Sequence, residues 1–383
     1  MSLAGFNRNP ELTLGQKFLQ VNWGLILLVT VLAAIGCVML YSAADGSMSP
    51  WAKRHAVRFG GGLVVLLIVA MLDIRVWFRW SYPIYLVGLL LLAAVELMGT
   101  VGMGAQRWVQ LGPLTLQPSE VMKVAIVMAL ARYFHGMSED EIVRPTKLIG
   151  PLVLVALPTV LVLKQPDLGT ALILIMVSGA LFFAAGVRLW KFGLLAGLGA
   201  AAVPVAWQFL RDYQKQRVLT FLNPESDPLG AGYHILQSKI ALGAGGLFGK
   251  GFLEGSQSHL NFLPEKQTDF IFTMLAEEFG LLGGVGLLGL YALVILYGFA
   301  IALRARNQFG RLLAIGLTAN LFLYVFINIA MVIGLIPVVG VPLPLVSYGG
   351  TAMLAIMISF GLVISVYVHR DVHIPRRGLG EED

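Results

Sequence analysis

Ten apolar runs, at about 22–42, 57–72, 82–99, 119–134, 148–164, 168–187, 191–210, 269–300, 311–335 and 348–369, take up most of this 383-residue sequence. Each is near the ~17 to 25 residues that a helix needs to cross the hydrocarbon layer of a bilayer. That pattern predicts an all-α fold: one polytopic domain over 1–383 with ten transmembrane helices. Composition agrees, because only 13% of residues are charged and 57% are hydrophobic. Roughly 25% charge is usual for a soluble domain, so too little polar surface is present to coat one of this size. Cys37 is the only cysteine, which excludes intrachain disulfides and cysteine-rich zinc sites.

Orientation follows from the cations in the short loops. Fifteen Lys and Arg, from Arg8 and Lys17 through Arg304 to Arg377, fall on the side of the termini. The short loops opposite hold five: Lys53, Arg54, Arg58, Arg107 and Lys164. Both termini are therefore expected in the cytoplasm, although the basic first outer loop runs against the rule. The net charge of +6 is explained by this distribution and calls for no nucleic-acid partner. A long outer segment, 211–267, separates spans seven and eight. Its aromatic and aliphatic content predicts an ordered loop with a short helix over Tyr233 to Leu242.

Ionisable residues at or within spans are costly unless paired or facing a wet cavity, so they are functional candidates. Glu120 and Lys123, three residues apart at the start of the fourth span, share a helix face and can pair. Asp269 stands where polar loop gives way to the eighth span, where a carboxylate could simply cap that helix. Were the helix to start earlier, Glu265 would sit on its face four residues before Asp269. Glu277 and Glu278 follow two turns down, as a functional or merely hydrogen-bonded buried pair. Asp167 has the look of an outer turn starting span six, and Arg107 of an anion contact in a short outer loop.

Several chemistries are excluded. Gly243 to Gly251 resembles a phosphate loop but has Ala244 for the first required Gly and Gly251 where Ser or Thr should hold magnesium. No HExxH, GxSxG or GxGD motif occurs. Outer carboxylates and cations in a bundle open to lipid instead suit a substrate with a sugar head, an anionic linker and a long hydrocarbon tail. Glycosyl transfer from a diphosphate donor needs one base for the acceptor hydroxyl and cations for the leaving group.

The segment Phe262 to Phe272, with Glu277 to Gly280, resembles the signature of the shape, elongation, division and sporulation family. Gly104 to Trp108, Gln117 to Lys123, Gln165 to Ala171, Asn223 to Gln237 and Pro342 to Gly350 fit it in order. This resemblance implies a ten-span peptidoglycan glycosyltransferase of the bacterial plasma membrane, polymerising lipid II at its outer, periplasmic face during cell elongation. It implies Asp269 as the base, Glu120 and Lys123 as a cavity-lining pair, Arg107 and Arg217 as diphosphate contacts, and Lys239 and Glu265 as loop positions near the substrate. It implies a class B penicillin-binding protein as transpeptidase partner, alongside other membrane proteins of the elongation complex. No cofactor is certain; a divalent cation is the one candidate. A transporter flipping the same lipid-linked precursor is the strongest rival, since a polar cavity between helices serves translocation too. A structural scaffold for envelope assembly is a third class.

Overall fold

The computed structural model describes residues 13–102, 105–111, 114–209, 215, 219–221, 223, 231–259 and 265–376. Among them, ten long helices stand at the ten apolar runs. They are α2 (Trp23–Ala43), α3 (Ala52–Met71), α4 (Ile74–Met98), α5 (Pro118–His135), α7 (Ile149–Lys164), α8 (Leu168–Ala185), α9 (Leu189–Phe209), α12 (Ile271–Arg304), α13 (Gln308–Val332) and α14 (Gly350–Val368). Short helices α1 (Leu14–Gln20), α6 (Glu139–Val143), α10 (Ala231–Ala244) and α11 (Ser256–His259) complete the set. Thus α10 contains the short helix expected in the outer loop. Eight helices are long and apolar enough to cross a membrane. Of the other two, α5 carries Glu120, Lys123 and Arg132, and the apolar part of α9 is shorter, Leu189–Pro204.

Burial differs widely among these helices. About 78% of the apolar stretch of α13 and of α14 is buried, against 28% for α3, α4 and α12. Nearly all of α5 is buried as well, from Pro118 to His135. Glu120 and Lys123 of α5 lie inside because hydrocarbon cannot solvate ions and neighbouring helices can. Most extensive among the helix pairs is α3 against α14.

Helicity is not universal. The connection between α4 and α5 forms a small antiparallel sheet of β1 (Thr100–Gly102), β2 (Ala105–Leu111) and β3 (Leu114–Leu116), in that order, which the apolar pattern did not foretell. Val109 pairs with Leu116 and Leu111 with Leu114. The Thr351 hydroxyl at the start of α14 donates to the Thr115 carbonyl at 3.1 Å, fastening the sheet to the bundle.

One long helix is broken. At Gly280 the backbone turns to φ 68°, ψ −165°, a conformation that only Gly adopts without strain. An unbroken helix would pair the Leu281 and Leu282 amides with the Glu277 and Glu278 carbonyls. Here all four groups go to the glycine-rich segment 245–251. Lys250 and Gly251 amides donate to the Glu277 and Glu278 carbonyls at 3.0 and 3.1 Å. Leu281 and Leu282 amides donate to the Gly246 and Leu247 carbonyls at 2.9 and 3.2 Å. Such contact requires bare backbone: a Cβ on Gly245 would lie 2.0 Å from the Ala276 carbonyl oxygen, and one on Gly249 2.1 Å from that of Glu278. The glycines that mimic a phosphate loop therefore serve to close a gap in α12.

Candidate active site

Asp269 lies two residues before α12 begins at Ile271, in a turn spanning 265–270. It does not cap the helix, since the N-cap position is Phe270 and no side chain bonds there. Nor does Glu265 share a helix face with it. Glu265 has φ +59° and accepts hydrogen bonds from Gln267 Nε2 at 3.2 Å and Thr268 Oγ1 at 3.0 Å. That folded-back turn, rather than an early helix start, presents both carboxylates to one cavity of about 360 Å³. Arg107 and Trp108 from β2, Gln117, Asp167, Tyr348 and the loop at Val338 to Gly340 line it too. A volume of this size falls in the range of ~300 to 1,000 Å³ typical of ligand sites.

Three bonds from two elements hold the turn. Asn328, fully buried on α13, donates through Nδ2 to the Asp269 carbonyl at 2.9 Å and to the Val341 carbonyl at 2.7 Å. Ser347 Oγ donates to the Thr268 carbonyl at 2.5 Å, and the Tyr348 amide to that of Gln267 at 2.9 Å. The carboxylate's backbone is thus fixed between α13 and the segment leading into α14. Asn328 is not ionisable, so the cost of burying charge does not mark it; its signal in the sequence is an amide within an apolar helix. Asn328→Leu removes both hydrogen bonds, and the loss at the buried Val341 carbonyl costs about 1–3 kcal/mol. We expect a lowered Tm in detergent and faster hydrogen exchange over 268–270; unchanged exchange there would remove Asn328 from its supporting role.

The other candidate residues fall in different places. Arg107 lines the cavity, but its Nη2 donates to the Pro166 carbonyl at 2.6 Å and its Nε lies 3.8 Å from Asp167 Oδ2. Asp167 is the N-cap of α8, accepting from the Thr170 amide at 3.1 Å and hydroxyl at 2.9 Å. Glu120 and Lys123 pair as expected, at 2.7 Å, with both side chains buried. Tyr324 of α13 completes them, donating its hydroxyl to Glu120 Oε2 and placing its ring 4.3 Å from Lys123 Nζ. This pair is buried between helices and is not part of the cavity lining. Lys239 is exposed on α10, its side chain against Gly334 after α13, also away from the lining. Arg217 is outside the described residues.

Glu277 and Glu278 belong to the helix break instead. Glu277 is fully buried and its Oε1 accepts from Lys250 Nζ at 3.0 Å and the Gln257 amide at 2.9 Å. Glu278 accepts from the Ser42 hydroxyl of α2. Among the described residues, no group of three or more His, Cys, Asp or Glu could hold a metal ion.

Known proteins share this architecture. The family model of the FtsW, RodA and SpoVE cell cycle proteins matches residues 22–372. The peptidoglycan glycosyltransferase MrdB of Escherichia coli K12 is 46% identical over 347 residues, 89% of this chain and 93% of MrdB. A chain in a solved peptidoglycan synthase complex, described as coordinating polymerization and crosslinking, superposes with a TM-score of 0.79 at 36% identity, covering 91% of this chain and 98% of that one. The crystal structure of the rod shape determining protein RodA of Thermus thermophilus gives 0.70 at 32%, covering 92% and 98%. With nearly its whole length matched in sequence and in shape, the chain is a multi-pass membrane protein of the FtsW, RodA and SpoVE family, the proteins of shape, elongation, division and sporulation.

Proposed function

We propose that this protein is a peptidoglycan glycosyltransferase that joins lipid II units into glycan strands at the outer face of the plasma membrane, with Asp269 as the base. The observation that carries the reading is the meeting of Asp269, Glu265 and Arg107 on one cavity, with the Asp269 backbone held by Asn328. In this mechanism an Asp269 carboxylate oxygen takes the proton of the acceptor sugar's hydroxyl as that oxygen attacks the donor's anomeric carbon. The bond from that carbon to the diphosphate breaks, and the diphosphate leaves with the electron pair. Being a weak base it needs no general acid, only positive charge and hydrogen-bond donors nearby.

Both termini are cytoplasmic in this reading, and the loop carrying α10 is periplasmic. Phe248, 80% exposed at the tip of the glycine-rich segment, provides the check. With Cys37 replaced by Ser, Phe248→Cys should react with a membrane-impermeant thiol reagent from outside the cell; labelling only after the inner face is opened would invert the topology.

A class B penicillin-binding protein is the partner that the family resemblance implies, its single span seated on this bundle. An apolar groove of about 440 Å³ between α12 and α13, lined by Tyr291, Phe322 and Phe326 among others, is wide enough to receive aliphatic side chains of such a helix. The direct test is reconstitution with lipid II, with and without the transpeptidase, reading glycan chain length and trans-bilayer lipid movement in one sample. Polymer supports the reading. Lipid movement without polymer would replace it with transport.

A further inference from the structure

Arg58 occupies an unusual position for a cation. It belongs to the basic start of α3, which, with Lys53 and Arg54, departs from the charge distribution of every other short loop on that side. Its Cζ lies 4.7 Å from the centre of the Tyr348 ring. A Cβ on Gly350 would come within 3.1 Å of that carbon, so the guanidinium rests where a larger residue would displace it. Tyr348 and Gly350 both line the cavity that contains Asp269. The extensive packing of α3 on α14 fixes this juxtaposition.

Charge accounting separates Arg58 from Arg107. The Arg107 guanidinium is already engaged by Asp167 and the Pro166 carbonyl. Arg58 is exposed and pairs with no carboxylate among the described residues. An unneutralised guanidinium at a cavity rim favours an anion, and its planar fork matches two phosphate oxygens better than a Lys ammonium would. Stacking on an aromatic face limits the plane's freedom, so less entropy is lost when oxygens bind its edge.

We propose that Arg58 binds the diphosphate of the polyprenyl-linked sugar at the rim of the cavity, held there by Tyr348 and by the bare backbone of Gly350. This rests on the glycosyl-transfer reading above and adds to it a residue that the motifs do not single out.

Binding is measured without turnover, on purified full-length protein in phosphatidylcholine nanodiscs titrated with undecaprenyl diphosphate. Arg58→Gln should weaken affinity about 10- to 100-fold, the scale of losing charge-assisted hydrogen bonds. Lys53→Gln removes an equal charge one residue before Arg54 and should shift affinity less than threefold. Undecaprenyl monophosphate should lose less than the diphosphate does in Arg58→Gln. Phosphatidylglycerol at the same mole fraction should not displace the diphosphate lipid. Equal affinity in Arg58→Gln and the unsubstituted protein, equal losses for Lys53→Gln, or displacement by phosphatidylglycerol would each overturn the assignment. Should Arg58→Gln fail to fold, Arg58→Lys takes its place: at least threefold weaker binding is expected, and unchanged binding overturns the proposal. If the protein binds the diphosphate through Arg58 yet forms no polymer, the functional reading falls and this site stands.

Discussion

Asp269→Asn is expected to lower lipid II polymerisation by about 10²- to 10⁴-fold, the usual contribution of a positioned general base, with the protein still folded. The amide cannot accept the hydroxyl proton at neutral pH, so the acceptor must attack as a neutral alcohol. Folding should survive because the turn is held through backbone groups: Asn328 donates to the Asp269 carbonyl and Ser347 to the Thr268 carbonyl, neither needing the carboxylate. Size-exclusion behaviour and Tm within a few degrees of the unsubstituted protein establish that point, and glycan length by gel reads the chemistry. Full polymerisation in a folded Asp269→Asn protein would refute the base assignment. Asp269→Glu provides a second reading, since the longer arm keeps the proton acceptor but moves it, and activity should fall between the two.

Lys123→Met should be strongly destabilising. It leaves Glu120, 4% exposed, without the cation 2.7 Å away and with only the Tyr324 hydroxyl donating to it. Breaking a buried ion pair by removing one partner typically costs about 3–5 kcal/mol, because the remaining charge stays desolvated. Replacing both partners with apolar residues of similar volume often costs little. Glu120→Leu combined with Lys123→Met should therefore recover most of the loss of Lys123→Met alone. Arg304→Ala, an exposed change at the far end of α12, should move stability by no more than about 0.5 kcal/mol. Thermal unfolding in detergent ranks the four proteins. A double variant as unstable as Lys123→Met would show that the pair stabilises by something other than mutual neutralisation.

Much of the architecture could be read from the chain because hydrocarbon imposes a coarse rule that sequence records directly: a spanning segment must be long, apolar and self-satisfied. Even there, α5 shows the limit of hydropathy, since Glu120, Lys123 and Arg132 lower its apolar character although packing buries nearly all of it. Local electrostatics were legible at short range. Glu120 and Lys123 are three residues apart, and Asp167 precedes Thr170 by three, so helix geometry alone brings each pair together. What sequence could not supply were encounters between distant segments. Nothing near Asp269 announces that Asn328 will hold it, and Tyr348 lies 290 positions from Arg58. The strands escaped notice because β1 and β3 are only three residues long, too short for alternation to register. The break at Gly280 was hidden because apolar content continues through it, while one backbone torsion decides the outcome.

That torsion divides α12 into two mechanical bodies. Residues 271–279 lie on one side of Gly280 and 281–304 on the other, and the segment at 245–251 bonds to both, with two backbone hydrogen bonds to each. The helix's own hydrogen bonds are interrupted at a single residue, so the two stretches take their bearing on each other from the segment at 245–251. A displacement of that segment is therefore passed to both stretches, and through 271–279 to the turn that bears Asp269. The position of Asp269 is thus set by a segment earlier in the chain as well as by the helix that it precedes.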